Sequence, residues 1–253
     1  SLPVMMHAAE SQAEKQFMQD GDGMFAAALK LRGIDWQAPG VSTVRYLRDR
    51  GVLETRPLLA HCINVDQDDL QLITESGAGI AHCPKSNAKL RHGHAPFPAF
   101  ISHGANVGLG SDSVASNNVC DILEEARFAT LLARATGAEP GLSGSSSDTQ
   151  TEVCASDALF AATLGGARAL GLDDQVGALQ TGLAADITII SLDGAHQQPV
   201  RDPYDALVFC SSGRDVVLTM VAGKEIYRDK RILSVNEDEM YRRLASLSGE
   251  MDG

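Results

Sequence analysis

Residues 78–87 run Ala78-Gly79-Ile80-Ala81-His82-Cys83-Pro84-Lys85-Ser86-Asn87. The first four are a short apolar run that reads as a β-strand, and the run closes on an imidazole. The same phrase recurs on both sides. Upstream, Leu58-Leu59-Ala60 closes on His61, and Val4 to Met6 closes on His7, with Glu10 three residues later. Downstream, Asn106-Val107-Gly108-Leu109 leads to Asp112. Helical stretches lie between: a polar one from Ser11, Ser42 to Arg50 capped by Ser42, Asp66 to Glu75 closing at Gly77, and Pro96 to Ser102 closing near Gly104. Strands alternating with helices imply βα units and a parallel sheet. Where such a sheet closes into a barrel, the carboxyl ends of its strands converge on one pocket. Three histidines and an aspartate at that topological position form a metal-site or acid–base set, because imidazole and carboxylate suit a zinc-like cation. A lone strand-end histidine is more often a satisfied structural residue, and Asp112 alone can cap a turn. Four polar strand ends in succession are not explained that way.

The rest of the chain narrows the class. Its 253 residues carry 21 Lys+Arg against 33 Asp+Glu, a formal net charge of -12, with the basic residues scattered singly. No surface that tracks nucleic-acid phosphates is expected, and anionic membrane faces are repelled. No run approaches the ~20 apolar residues that span a bilayer. Cys62, Cys83, Cys120, Cys154 and Cys210 are widely spaced and lack a CxxC pair, which reads as reduced thiols in a cytoplasmic protein. Val119 to Ala135 is the clearest helix, with Ile122, Leu123, Ala126, Ala129 and Leu132 on one face. Gly137 to Thr149, rich in Gly and Ser, reads as a loop, and Cys154 to Leu170 as a further helix. From Val176 the pattern changes to short β runs: Asp186 to Ile190, Val216 to Val221 and Glu225 to Tyr227. A helix from Asn236 to Ser246 follows.

Four words along the chain are similar to those of one family. Met6-His7-Ala8-Ala9-Glu10, Leu59-Ala60-His61-Cys62, His82-Cys83-Pro84-Lys85-Ser86-Asn87 and Gly108-Leu109-Gly110-Ser111-Asp112-Ser113-Val114-Ala115-Ser116-Asn117-Asn118 resemble the amidohydrolase superfamily. The likeness is to its deaminase and chlorohydrolase branch, which holds S-adenosylhomocysteine/methylthioadenosine deaminases, aminodeoxyfutalosine and guanine-type deaminases, and s-triazine hydrolases. It runs from residue 2 to about residue 233 and includes Gly182-Leu183-Ala184-Ala185-Asp186 and Val221-Ala222-Gly223-Lys224.

The resemblance implies an α/β fold, the C-terminal part of a (β/α)8 TIM-type barrel (strands five to eight) followed by part of a small β-sandwich domain. Residues 1–175 would be the partial barrel, 176–233 part of the β domain, and 234–253 a C-terminal helix and tail. His7 and Asp112 would be metal ligands. Glu10 would shuttle protons between metal-bound water and the leaving amine. His61 would hydrogen-bond the attacking hydroxide or the tetrahedral centre, and Asp112 would also take the water's proton. His82, Ser86 and Asn87 would line the substrate pocket. Zinc is the default cofactor, with iron or manganese suited to the same ligands. The implied reaction is deamination of an amino-substituted N-heterocycle by metal-bound hydroxide, the substrate resembling adenosine, S-adenosylhomocysteine or aminofutalosine. Triazine hydrolysis and guanine or 8-oxoguanine deamination use the same machinery. A non-catalytic barrel-derived binding protein and an unrelated α/β ligand-binding domain are the readings from other classes.

One departure stands out. The family draws two further ligands from a His-x-His pair on the first barrel strand, and no such pair precedes His7. His92-Gly93-His94 spells the pattern but follows Ser86-Asn87, where no strand leads into it. The expectation is therefore a C-terminal half whose partner is the missing N-terminal half of the barrel, weak in metal and inactive alone. The oligomeric state is not set by the sequence, though relatives commonly form homodimers. Other features have plain readings. Trp36 packs under a loop or stacks on substrate. Cys62 and Cys83 are buried fillers. Glu124 and Glu125 are solvated, or paired to Arg127 or Arg134. Lys85 and Arg91 are surface groups or contact an anionic part of a substrate. Glu14 backs Glu10 or faces solvent, and Gly108 and Gly110 allow close backbone approach near the site.

Overall fold

A computed structural model describes residues 3–136 and 152–251. The Gly- and Ser-rich stretch 137–149 lies outside the described residues. Strands β1 (Met5–Ala8), β2 (Leu58–His61), β3 (Gly79–His82) and β4 (Asn106–Leu109) form one parallel sheet in sequence order. The alternation of the sequence is thus realised as βα units. β1 starts and ends later than the expected Val4–Met6, so His7 lies within the strand and pairs with Ala60, while Ala8 pairs with His61.

Helices α1 (Gln12–Gln19), α2 (Gly23–Leu31) and α3 (Thr43–Asp49) connect β1 to β2, and α4 (Gln67–Ser76) connects β2 to β3. Their ends follow local chemistry. Ser11 and Ser42 cap α1 and α3, Asp66 and Asp69 form a reciprocal capping box on α4, and Gly77 closes α4 at φ 73°. α5 (Pro84–Lys89) and α6 (Phe97–Ser102) precede β4, and α7 (Val114–Asn117) and α8 (Ile122–Thr136) follow it. The core lies against the sheet: Leu59, Ile80 and Val107 pack with Leu70 and Ile73 of α4, Phe97 and Phe100 of α6, and Ala129 and Ala133 of α8.

The expected helix from Cys154 to Leu170 is two helices, α9 (Ala155–Ala161) and α10 (Leu164–Leu170). The break at Thr163 lays the glycines of α10 directly on the sheet. A Cβ on Gly108 would sit 2.7 Å from Gly166 Cα, and one on Gly79 would sit 2.1 Å from the Ala169 carbonyl oxygen. Gly108 therefore serves helix-on-sheet approach and not the site, whereas a Cβ on Gly110 would meet Cys83 Sγ at 3.1 Å.

A second, antiparallel sheet follows: β5 (Ile187–Ile190), β6 (Val216–Val221), β7 (Lys224–Arg228) and β8 (Arg231–Ile232), paired in that order. Ile189, Val221 and Ile232 remain exposed on it. Arg127 of α8 ties this region to the first by donating to the carbonyls of Val208 (3.0 Å) and Ser211, and Asp121 accepts from Gly213 N at 2.7 Å. α11 (Pro203–Asp205) precedes these carbonyls, and α12 (Glu237–Met251) follows β8. No helix among the described residues is long and apolar enough to cross a membrane.

Candidate active site

The carboxyl edge of the parallel sheet gathers the chemistry. Ligand atoms of His7, His61 and Asp112 lie within 4.8 Å of one another, and the His7 and His61 rings stack at 5.3 Å. The chain turns abruptly there. Ala9, His61, Cys62 and Asp112 all adopt left-handed backbone, at φ 52°, 73°, 47° and 57°. Residues with a β-carbon rarely adopt it, and such strain concentrates at functional sites.

Each side chain has its own support. Asn87 Oδ1 lies 2.8 Å from His61 Nδ1. With Nδ1 engaged there, Nε2 is a buried atom with no hydrogen-bond partner. That Nε2 faces Glu10 Oε1 at 3.7 Å. Asp112 Oδ2 accepts from Ser86 Oγ (2.6 Å) and Ser116 Oγ (2.7 Å). Burial pushes the Asp112 carboxyl up, but the Ser86 and Ser116 hydroxyls and the Ser113 amide outweigh it and hold it below the usual range. Glu10 is held through its backbone: Glu14 accepts from Ala9 N and Glu10 N, each at 2.8 Å, and from Thr43 Oγ1 at 2.7 Å.

The residues expected to line a substrate pocket lie deeper than that. Ser86 and Asn87 are buried and act on Asp112 and His61. His82 is buried behind His61, stacked on Phe97 at 5.0 Å. Burial, reinforced by the neighbouring His61, drives its pKa down to about 3, so it is a neutral ring. His92 belongs to the site as a neighbour of Glu10, its Nδ1 3.1 Å from Oε1, whereas neither His92 nor His94 joins the His7–His61–Asp112 group.

Other sequence readings are corrected or refined here. Glu125 is neither solvated nor paired to arginine: it is fully buried and accepts from Asn117 Nδ2 and Lys85 N. Lys85 Nζ pairs with Glu124 at 2.5 Å. Glu125 was legible as i−4 and i−8 of Ala129 and Ala133 on the buried face of α8. Trp36 stacks on Phe17 of α1 at 4.3 Å and donates to its carbonyl at 3.2 Å. Cys62 and Cys83 are buried as expected, and burial raises both thiols, Cys83 to about 12.

A parallel sheet that collects imidazole and carboxylate at its carboxyl rim has the layout of a βα-built protein whose site lies at the strand ends. The chain belongs to the amidohydrolase family, whose model matches residues 1–226. It is 38% identical over 201 residues to a 5-methylthioadenosine/S-adenosylhomocysteine deaminase of Pelotomaculum thermopropionicum, covering 79% of this chain and 44% of that one. A protein of the same name from Pyrococcus abyssi is 37% identical over 209 residues, covering 83% and 46%. Among solved structures, a zinc-bound adenosine deaminase from Xanthomonas campestris superposes with a TM-score of 0.82 at 26% identity, covering 99% of this chain and 51% of that one. Escherichia coli guanine deaminase, at 20% identity and a TM-score of 0.71, shares the fold; the match covers 91% of this chain and 48% of that one. The chain spans about half the length of the curated relatives it matches.

Proposed function

We propose that the protein carrying this chain hydrolytically deaminates an amino-substituted N-heterocycle of the methylthioadenosine/S-adenosylhomocysteine type and releases ammonia. The observation that carries this is the His7–His61–Asp112 cluster with Glu10 beside it. The names of the similar proteins support the substrate class. We read the parallel sheet as strands five to eight of a (β/α)8 barrel and the antiparallel sheet as part of a β-sandwich domain. The remaining barrel strands would complete the ligand set, in a cytoplasmic protein.

The donor set fits a divalent cation. Ligand atoms of His7 and Asp112 lie within 4.8 Å of one another, and hydroxyls hold the Asp112 carboxyl below its usual range. His7 and Asp112 would hold the ion, with zinc as first choice. The cation supplies Lewis-acid activation that makes hydroxide available near neutral pH. The chain's own residues do the rest. His61, its ring fixed by Asn87, orients the attacking water through Nε2. Glu10 carries one proton of the attacking water to the ring nitrogen as the C–O bond forms; the second, taken from the new hydroxyl by Asp112, goes to the amine, which leaves as ammonia as the C–N bond breaks. Ser86 and Asn87 position Asp112 and His61, and His82 backs His61 as an uncharged ring.

The test is ammonia release by the full-length gene product from methylthioadenosine, S-adenosylhomocysteine, adenosine, guanine and an aminotriazine. Turnover of the thioether nucleosides is expected, with Glu10→Gln lowering kcat about 10²- to 10⁴-fold at unchanged metal content. No turnover of any nucleoside, or full turnover by Glu10→Gln, contradicts the reading.

A further inference from the structure

We infer that Glu125, a residue that faces no ligand, is the positioning residue that sets Asp112 for cation binding. The inference rests on the reading of Asp112 as a metal-holding residue.

Glu125 lies on α8 with 0% exposure. Its Oε1 accepts from Asn117 Nδ2 at 2.6 Å and its Oε2 accepts from the Lys85 amide at 3.2 Å. Asn117 Nδ2 also donates to the Ser111 carbonyl at 2.6 Å. Each residue so gripped is one step along the chain from Asp112 or from a group bonded to it. Lys85 precedes Ser86, Ser111 precedes Asp112, and Asn117 follows Ser116. Ser86 and Ser116 are the two hydroxyls on Asp112 Oδ2. One buried carboxylate thereby holds two anchor points directly and a third, Ser111, through Asn117, around a residue in left-handed backbone, φ 57°. Such a conformation persists only where its surroundings over-determine it.

The chemistry of the anchor explains why it is a carboxylate. Its two partners are both N–H donors, and a carboxylate offers two acceptors and no donor. An isosteric glutamine turns one of these contacts into N–H facing N–H. Burial raises the Glu125 carboxyl above its ordinary value, and the Asn117 and Lys85 hydrogen bonds offset only part of that rise. A buried charge is costly to keep for packing alone, since apolar residues of similar volume fill space as well. Outer partners of metal ligands act in this way, and losing one weakens metal affinity about 10- to 100-fold.

The experiment uses the full-length gene product, with zinc as the probe. Zinc affinity is measured by chelator competition on folded protein for wild type, Glu125→Gln and Asp112→Ala, and amide hydrogen exchange is followed in the metal-free forms. Glu125→Gln is expected to weaken zinc binding about 10- to 100-fold. It should also speed exchange across residues 111–118, while α4 exchanges as in wild type. A role in packing alone lowers the melting temperature and leaves zinc affinity and the 111–118 amides unchanged, which overturns the inference. Undiminished zinc binding by Asp112→Ala overturns the underlying site reading instead. If Glu125→Gln does not fold, Asn117→Ala removes the link to Ser111 while sparing the Lys85 contact. It must then show the same two effects at smaller size, and their absence overturns the inference.

Discussion

The two flanks of the site are built in opposite ways. On the β3–β4 flank, Asp112 is caged by Ser86 and Ser116 and backed by Asn117 and Glu125, on strands that α10 packs against at Gly79 and Gly108. On the β1 flank, Glu10 is fixed mainly through its backbone, by Glu14 accepting from the Ala9 and Glu10 amides. One flank holds its carboxylate by hydrogen bonds to the side chain itself, while the other holds its carboxylate by hydrogen bonds to the backbone that carries it. The difference matches the proposed work of each. A metal-holding carboxylate must stay in one place, whereas a proton carrier must reach water and substrate in turn.

The contrast can be broken first where α10 packs on the strands of the β3–β4 flank. Gly79→Ala places a methyl group 2.1 Å from the Ala169 carbonyl oxygen, so α10 must lift off the sheet. A loss of about 3 kcal/mol by chemical denaturation is expected. Thr43→Val on the opposite flank, which removes one hydroxyl from Glu14, should cost about 1 kcal/mol. Equal losses would erase the distinction between the flanks.

A smaller effect comes from Ser86→Ala, which removes one of the two hydroxyls on Asp112 and should cost about 2 kcal/mol at neutral pH. The pH dependence has a definite sign. The folded Asp112 carboxyl lies below its ordinary value of 3.8, so its contribution to stability is present above that value and is lost as pH falls through the lower folded value. Ser86→Ala reduces that depression. The gap between variant and wild type should therefore be full at pH 5 to 7 and shrink below pH 4, as read from urea midpoints. A gap that widens in acid would contradict the assignment.

Much of this was legible in the sequence. Short apolar runs ending in His61, His82 and Asp112 specify parallel strands, because period and length are local properties. Their convergence follows from the topology alone. What was not legible depends on contacts between distant segments. Ser86 and Asn87 carry no local sign that they turn inward onto Asp112 and His61, 26 residues away in each case. Glu125 was read as surface because a glutamate on a helix usually is, although its spacing to Ala129 placed it on the buried face. The division of 154–170 into two helices reflects close packing of Gly165 and Gly166 on β4, which no propensity records. The loop that carries His92 to Glu10 is likewise a tertiary fact, aided by left-handed backbone at Arg91 (φ 60°) and Gly93 (φ 107°).

The central claim is that the strand-end cluster holds a catalytic cation through His7 and Asp112. Elemental analysis of the full-length gene product, beside its Asp112→Ala and His7→Ala variants, tests it most directly. The account predicts about one equivalent of zinc, iron or manganese in the wild type and little in either variant, with both variants folded. A full equivalent retained by both variants would contradict it and would mean that the ion sits elsewhere.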